Sequence, residues 1–172
     1  YWLAPGVNGA TGSVDVAPVY CPRGTNVTIT ATASNGWHFS SWQGETGGCA
    51  VAGNVITAAM TQARSIQASF AINLYDITGT NGPGGIIMPS GTVWVEHGGS
   101  TNFAINSNAH YHVTNVVVDA VEQGPTNTYA FANVTNGGHT IIALFGIDRY
   151  TLTVSSEHGS PTPSGTTTSD WG

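Results

Sequence analysis

An internal period of 74 to 75 residues governs this chain, which writes one unit twice and begins it a third time. Tyr1-x-Leu3 returns as Tyr75-x-Ile77 and again as Tyr150-x-Leu152, at offsets of 74 and 75. Gly24 corresponds to Gly99 (99 − 24 = 75), Trp37 to Tyr111 (74), Phe39 to Val113 (74) and Phe70 to Phe145 (75). The segment GSPTPSGT at Gly159–Thr166 overlays GIIMPSGT at Gly85–Thr92, and the chain reaches Gly172 before the landmark that would match Trp37 and Tyr111. Tandem units of one kind point to an array or scaffold and away from a single catalytic pocket. The expected organisation is a first repeat over 1–73, a second over 74–148, and a partial third repeat or donor strand over 149–172.

Units of this size stand near the limit at which a hydrophobic core supports itself, so a neighbouring unit or a crosslink would help. Charge is scarce and one-sided: there is no Lys, Lys plus Arg total 3, Asp plus Glu total 9, and the formal net charge is −6. Nucleic acid and anionic membrane are poor partners for such a chain, because both require clustered cations. Solubility must come from Thr, Ser, Asn and Gly, a composition suited to an extracellular or cell-surface protein.

Both cysteines, Cys21 and Cys49, fall in the first repeat, and their spacing matches no zinc motif. One disulfide closing a span of 28 residues (49 − 21) is expected, at ~3 kcal/mol; two free buried thiols are the alternative. No apolar run approaches the ~20 residues of a membrane span, and none follows a basic start as in a signal peptide. The first residue is Tyr1 and not Met, as expected of a processed product or a fragment. Asn26-Val-Thr28 and Asn133-Val-Thr135 are acceptor patterns for N-glycosylation.

Alternation with period two predicts strands throughout. In Asn26–Ala33, Val27, Ile29, Ala31 and Ala33 share one face while Thr28, Thr30 and Thr32 share the other. Similar patterns mark 92–96, 101–105, 112–118, 129–134, 139–145 and 150–154, all rich in β-branched and aromatic residues. Ser34-Asn35-Gly36, Asn81–Gly85, Gly98-Gly99 and Asn136-Gly137-Gly138 supply turns between them. Ala58–Arg64 is the one segment with some helical character, and strand followed by turn is preferred there. The fold class is all-β: two small domains, sandwich-like or β-grasp-like, each of five or six short antiparallel strands, plus the first strands of a third.

The landmarks resemble a known family. Gly12, Val14, Gly24–Ala31, Gly36–Gly44, Met60–Thr61 and Ser65–Phe70 follow the spacing of the divergent internalin-B-type repeats of bacterial and archaeal surface proteins. The second repeat is similar through Gly98-Gly99-Ser100, Phe103, Ile105, Tyr111, Val113, Val116, Val118-Asp119 and Phe131–Phe145. The resemblance implies a tandem extracellular β-repeat of stalks, adhesins or secreted multidomain enzymes, and it carries no catalytic residue. The cysteine pair departs from that pattern.

No residue set argues for chemistry. His110-x-His112 places two imidazoles on one predicted strand face, but two ligands without a third do not make a metal site. The nine carboxylates are scattered, with no Asp-x-Asp-x-Asp calcium loop and no Gly-x-Ser-x-Gly elbow. Gly82-Pro83-Gly84-Gly85 lacks the Lys of a phosphate loop and reads as a turn. Neither enzyme activity nor a metal or other cofactor is expected. Trp37, Trp42 and Trp94 could form a sugar-stacking platform; Trp37 and Trp42 match Tyr111 and Val116 as core positions, which leaves Trp94 as the exposed candidate.

The third copy opens with a strong strand, Tyr150–Val154, that has no partner strand in the sequence pattern. Two explanations remain open: a longer array, or a head-to-tail filament in which Tyr150, Leu152 and Val154 add to a sheet edge at Tyr1 and Leu3 of the next subunit. Pro5 makes YWLAPG a poor first strand on that view. The expected role is that of an extracellular structural and interaction protein, partnered by itself or by neighbouring repeats. The alternative is a carbohydrate-binding accessory module of a secreted enzyme, with polysaccharide as the partner.

Overall fold

The computed structural model describes residues 1–162 and 164–170; Pro163 of the GSPTPSGT motif, Trp171 and Gly172 lie outside them. The described residues form strands and no helix, as the period-two alternation requires. Two compact units emerge, one of Tyr1–Leu74 with Glu96–Gly98, the other of Tyr75–Val95 with Gly99–Gly172.

The first unit holds eight strands, more than the five or six expected: β1 (Trp2–Val7), β2 (Gly12–Val14), β3 (Val19–Tyr20), β4 (Asn26–Ala33), β5 (Trp37–Gly44), β6 (Ala50–Ala52), β7 (Val55–Ala59) and β8 (Arg64–Ile72). The extra ones have two or three residues, too few for alternation to register. They form two four-stranded sheets, ordered β3-β1-β8-β5 and β2-β4-β7-β6. Leu3 and Ile66 of one sheet and Ile29, Ile56 and Ala58 of the other meet in one buried cluster with Met60, so the unit is a small sandwich. Ile29 and Ala31 are buried as the alternation in β4 predicts, while Thr28 faces out and its hydroxyl lies 3.3 Å from that of Thr57.

The second unit repeats the plan with β9 (Leu74–Asn81), β10 (Gly85–Met88), β11 (Gly91–Glu96), β12 (Gly99–Ser107), β13 (Tyr111–Val118), β14 (Val121–Glu122), β15 (Thr128–Val134) and β16 (His139–Ile147). Its sheets run β11-β9-β16-β13-β14 and β10-β12-β15. Ile77, Val116, Ile141 and Ala143 from the first face Ile87, Phe103, Ile105 and Phe131 from the second. Even a bulge is repeated, between Phe39 and Ser41 in β5 and between Val113 and Asn115 in β13.

In both units the first strand lies parallel to the last: Leu3 pairs with Arg64 and Ile77 with His139. Connecting such strands takes a long crossover, and here the rest of the unit supplies it. A glycine sits beneath an aromatic ring at matching places. A methyl group on Gly12 would come within 2.5 Å of the Phe70 ring, and one on Gly85 within 2.3 Å of the Phe145 ring. The periodic Phe70 and Phe145 therefore cover backbone that no side chain could occupy.

Pro5 does not weaken β1. It is buried and pairs with Ile66 in the parallel ladder, while β3 covers only Trp2 and Leu3 on the other side. A missing N–H on that uncovered side costs no ladder bond.

The third copy forms a hairpin of β17 (Arg149–Val154) and β18 (Gly165–Asp170), paired from Arg149 with Asp170 to Val154 with Gly165. The strand expected to lack a partner thus has one. Thr153 and Thr166 bring their hydroxyls to 3.3 Å, as Thr78 and Thr92 do at 3.2 Å between β9 and β11. The hairpin is therefore the third instance of the β1–β3 and β9–β11 pairing.

Candidate functional site

Two features stand out, the hairpin of the third copy and the outer face of the first unit's β3-β1-β8-β5 sheet. In the hairpin, Leu152 occupies the position of Leu3 and Ile77. Those two are fully buried, whereas Leu152 is 61% exposed. The difference lies in the neighbour: β8 flanks Leu3 and β16 flanks Ile77, while among the described residues β17 pairs with β18 alone. Val154 is partly buried, and Tyr150 pairs with Ser169 across the hairpin.

The acceptor edge expected at Tyr1 and Leu3 is not open. Leu3 pairs with Val19 on one side and Arg64 on the other. The Tyr1 ammonium donates to the Cys21 carbonyl at 2.6 Å, and the Cys21 N–H donates to the Tyr1 carbonyl at 2.8 Å. Strand addition at that place would have to displace β3.

Cys21 and Cys49 are both free thiols, which corrects the expected disulfide. Both approach the same core cluster, but Cys21 is part of its buried set while Cys49 packs on its side. The Cys49 Sγ is 4.0 Å from the Glu45 carbonyl oxygen, within the turn that its own N–H closes onto Thr46. The Cys49 sulfur thus rests against its own turn, and the small core is closed without a crosslink.

On the outer face, β1 turns Trp2 away from the core while its neighbour Leu3 points in. Tyr20 of β3 lies directly opposite, with ring centroids 4.7 Å apart and planes tilted by 56°. Trp2 is 40% and Tyr20 78% exposed. An open depression of about 190 Å³ beside Trp2 is lined also by Ala4, Glu45, Ala63, Arg64 and Ser65. The Ser65 N–H donates to Glu45 Oε2. Arg64 is buried beneath, giving Nε–H to the Ala59 carbonyl at 3.0 Å and Nη1–H to the Glu45 and Gly47 carbonyls at 2.8 Å each. Buried guanidinium is thus spent on backbone and clamps the 44–48 turn.

Of the three Trp residues considered for a platform, Trp42 packs on the core and donates Nε1–H to the Gly53 carbonyl at 3.2 Å. Trp37 is half-buried. Trp94 is 62% exposed on β11, and it is the periodic counterpart of Tyr20 (94 − 20 = 74). That correspondence was readable in the sequence; the pairing of Trp2 with Tyr20 was not, because it depends on the β1–β3 register.

His110 and His112 do not share a strand. His110 lies in the turn before β13 with a φ of 68°, and His112 sets Nδ1 2.9 Å from Asp148 Oδ1. Among the described residues no group of three or more His, Cys, Asp or Glu side chains could hold a metal ion. Asp119, at the β13–β14 turn, accepts the Thr140 N–H at 2.7 Å and lies 2.7 Å from His139 Nδ1. Burial pushes its carboxyl up, but the Thr140 bond and His139 outweigh that and hold it below the usual carboxylate range. Asp15 is lowered chiefly by the Thr30 N–H, at 2.7 Å. Both carboxylates tie turns to strands. Asn26 opens β4 and Asn133 lies in β15 with a φ of 52°; both are exposed.

No helix among the described residues is long and apolar enough to cross a membrane. No curated protein and no solved structure matches the chain. Residues 6–74, the greater part of the first unit, match the family described as the divergent InlB B-repeat domain, in agreement with the resemblance carried by Gly12, Gly24, Trp37, Trp42 and Phe70.

Proposed function

We propose that this chain is a mechanical, non-catalytic module of a cell-surface repeat array, in which hairpin β17–β18 takes up a strand of the β8 and β16 type. Leu152 carries this reading: a position fully buried in both eight-stranded units is exposed in a hairpin that, among the described residues, pairs with no further strand. The InlB-type repeat in the first unit supports surface placement, and the polar, lysine-free composition agrees with it. A spacer needs only a closed core and tandem linkage, and both units provide these.

Negative-stain electron microscopy of native material, paired with denaturing mass determination, tests the proposal. Threads with a covalent mass well above 17.7 kDa support the array. Filaments that dissolve into 17.7 kDa chains, and that a Leu152→Asp substitution abolishes, assign the added strand to a second copy instead. Dispersed single particles of one chain would refute both forms. A second reading, a polysaccharide-binding accessory module, is favoured by the exposed Tyr20 and Trp94 at matching positions.

A further inference from the structure

We infer that the outer face of the first unit holds a stacking site for a neutral glucan, built from Trp2 and Tyr20 with Glu45 and Ser65 at its side. The inference rests on the polysaccharide reading and adds the site and the ligand class. Exposed aromatic rings are costly to leave in water and mark a contact surface when they cluster. Here two rings meet at 4.7 Å on the sheet's outer side, on strands whose alternate residues build the core. Core packing does not explain them, because Leu3 next to Trp2 already fills the inward position.

The surroundings select the ligand. The depression beside Trp2 measures about 190 Å³, small for a drug-sized molecule and suited to one pyranose ring. Glu45 Oε2 is engaged by the Ser65 N–H, which orients the carboxylate and leaves Oε1 to accept from a sugar hydroxyl. The Ser65 hydroxyl and the exposed Gln67 and Gln43, paired across β8 and β5, continue the face as neutral donors and acceptors. A glucan with equatorial hydroxyls presents flat C–H faces for the rings and hydroxyls at its rim for these groups. Anionic polymers are disfavoured: the lining cation, Arg64, is buried and bonded to three carbonyls, Glu45 is adjacent, and the chain carries a net charge of −6.

The full chain is run in native affinity gels containing hydroxyethylcellulose or laminarin, as wild type, Trp2→Ala, Tyr20→Ala, Glu45→Gln and Trp94→Ala. Retardation of the wild type is expected. Tyr20→Ala should weaken it about fivefold to tenfold, the size of one lost ring contact, with no change in thermal midpoint because that side chain is largely exposed. Glu45→Gln should weaken it less, since the amide oxygen still accepts the Ser65 N–H. Retardation that survives Trp2→Ala and Tyr20→Ala but falls with Trp94→Ala overturns this site and leaves the polysaccharide reading standing on the second unit. No retardation by either glucan overturns both. Dimerisation that Tyr20→Ala abolishes, without retardation, would make the face a self-contact and also overturn the inference.

Discussion

Leu3, Ile77 and Leu152 are one position in three copies, and truncating each to Ala measures what a flanking parallel strand contributes. Leu3 and Ile77 are fully enclosed between sheets. Losing the side chain there removes its transfer free energy and opens a cavity, together about 3 kcal/mol. Leu152 is 61% exposed, so the same cut removes only a minor part of the transfer term and leaves no cavity, below about 1 kcal/mol. Urea unfolding of the dilute full chain, followed by Trp fluorescence and far-ultraviolet circular dichroism, reads the difference. With a slope of about 1–3 kcal/mol/M, Leu3→Ala should lower a midpoint by roughly 1–3 M, and Leu152→Ala by about a third of that or less. Trp2, Trp37 and Trp42 lie in the first unit, so the Leu3→Ala shift should show in fluorescence. A Leu152→Ala loss equal to that of Leu3→Ala in dilute solution would mean that β17 is already covered, and would refute the argument that its position awaits a strand.

Gly85→Ala should cost about 1–3 kcal/mol, because the added methyl meets the Phe145 ring at 2.3 Å and the Asn106 carbonyl at 2.6 Å; an unchanged melting midpoint would show that the ring moves aside freely. Asp119→Asn should lower stability at pH 7 by under about 1 kcal/mol. The native carboxyl lies below its ordinary value, so its contribution is present above about pH 4 and fades as pH falls; melting curves of wild type and variant should converge toward pH 3, and a constant gap would count against the Thr140 and His139 contacts as its source. Unfolded chain purified without reductant should react with an aromatic disulfide reagent at both Cys21 and Cys49. Reaction at neither would restore the crosslink that their shared core cluster makes conceivable.

Much of the fold was legible because its signals are local. Val27, Ile29 and Ala31 against Thr28, Thr30 and Thr32 declare a half-buried strand within eight residues, and Gly24 and Gly36 at φ values of 84° and 79° occupy turns that glycine enters without strain. The 74-residue period places the copies. Three features escaped this reading. The strand role of YWLAPG depends on which side of Pro5 the ladder falls, a fact of β8's position. The shape of the turn that carries Cys49 involves Arg64, which comes from β8 to bond the Glu45 and Gly47 carbonyls. The meeting of Trp2 with Tyr20 depends on the β1–β3 register.

The sequence by itself determined an all-β chain, its internal period, the inward residues of the longer alternating strands such as β4 and the scarcity of cationic side chains. Tertiary structure alone decided that first and last strands of a unit lie parallel, which edge of β1 is closed, where each sulfur rests and which aromatic rings share a face. The physical reason is range. Alternation and turn chemistry act over a few neighbouring residues, whereas parallel pairing of Leu3 with Arg64 joins residues 61 apart (64 − 3) and is set by burying two sheets against each other.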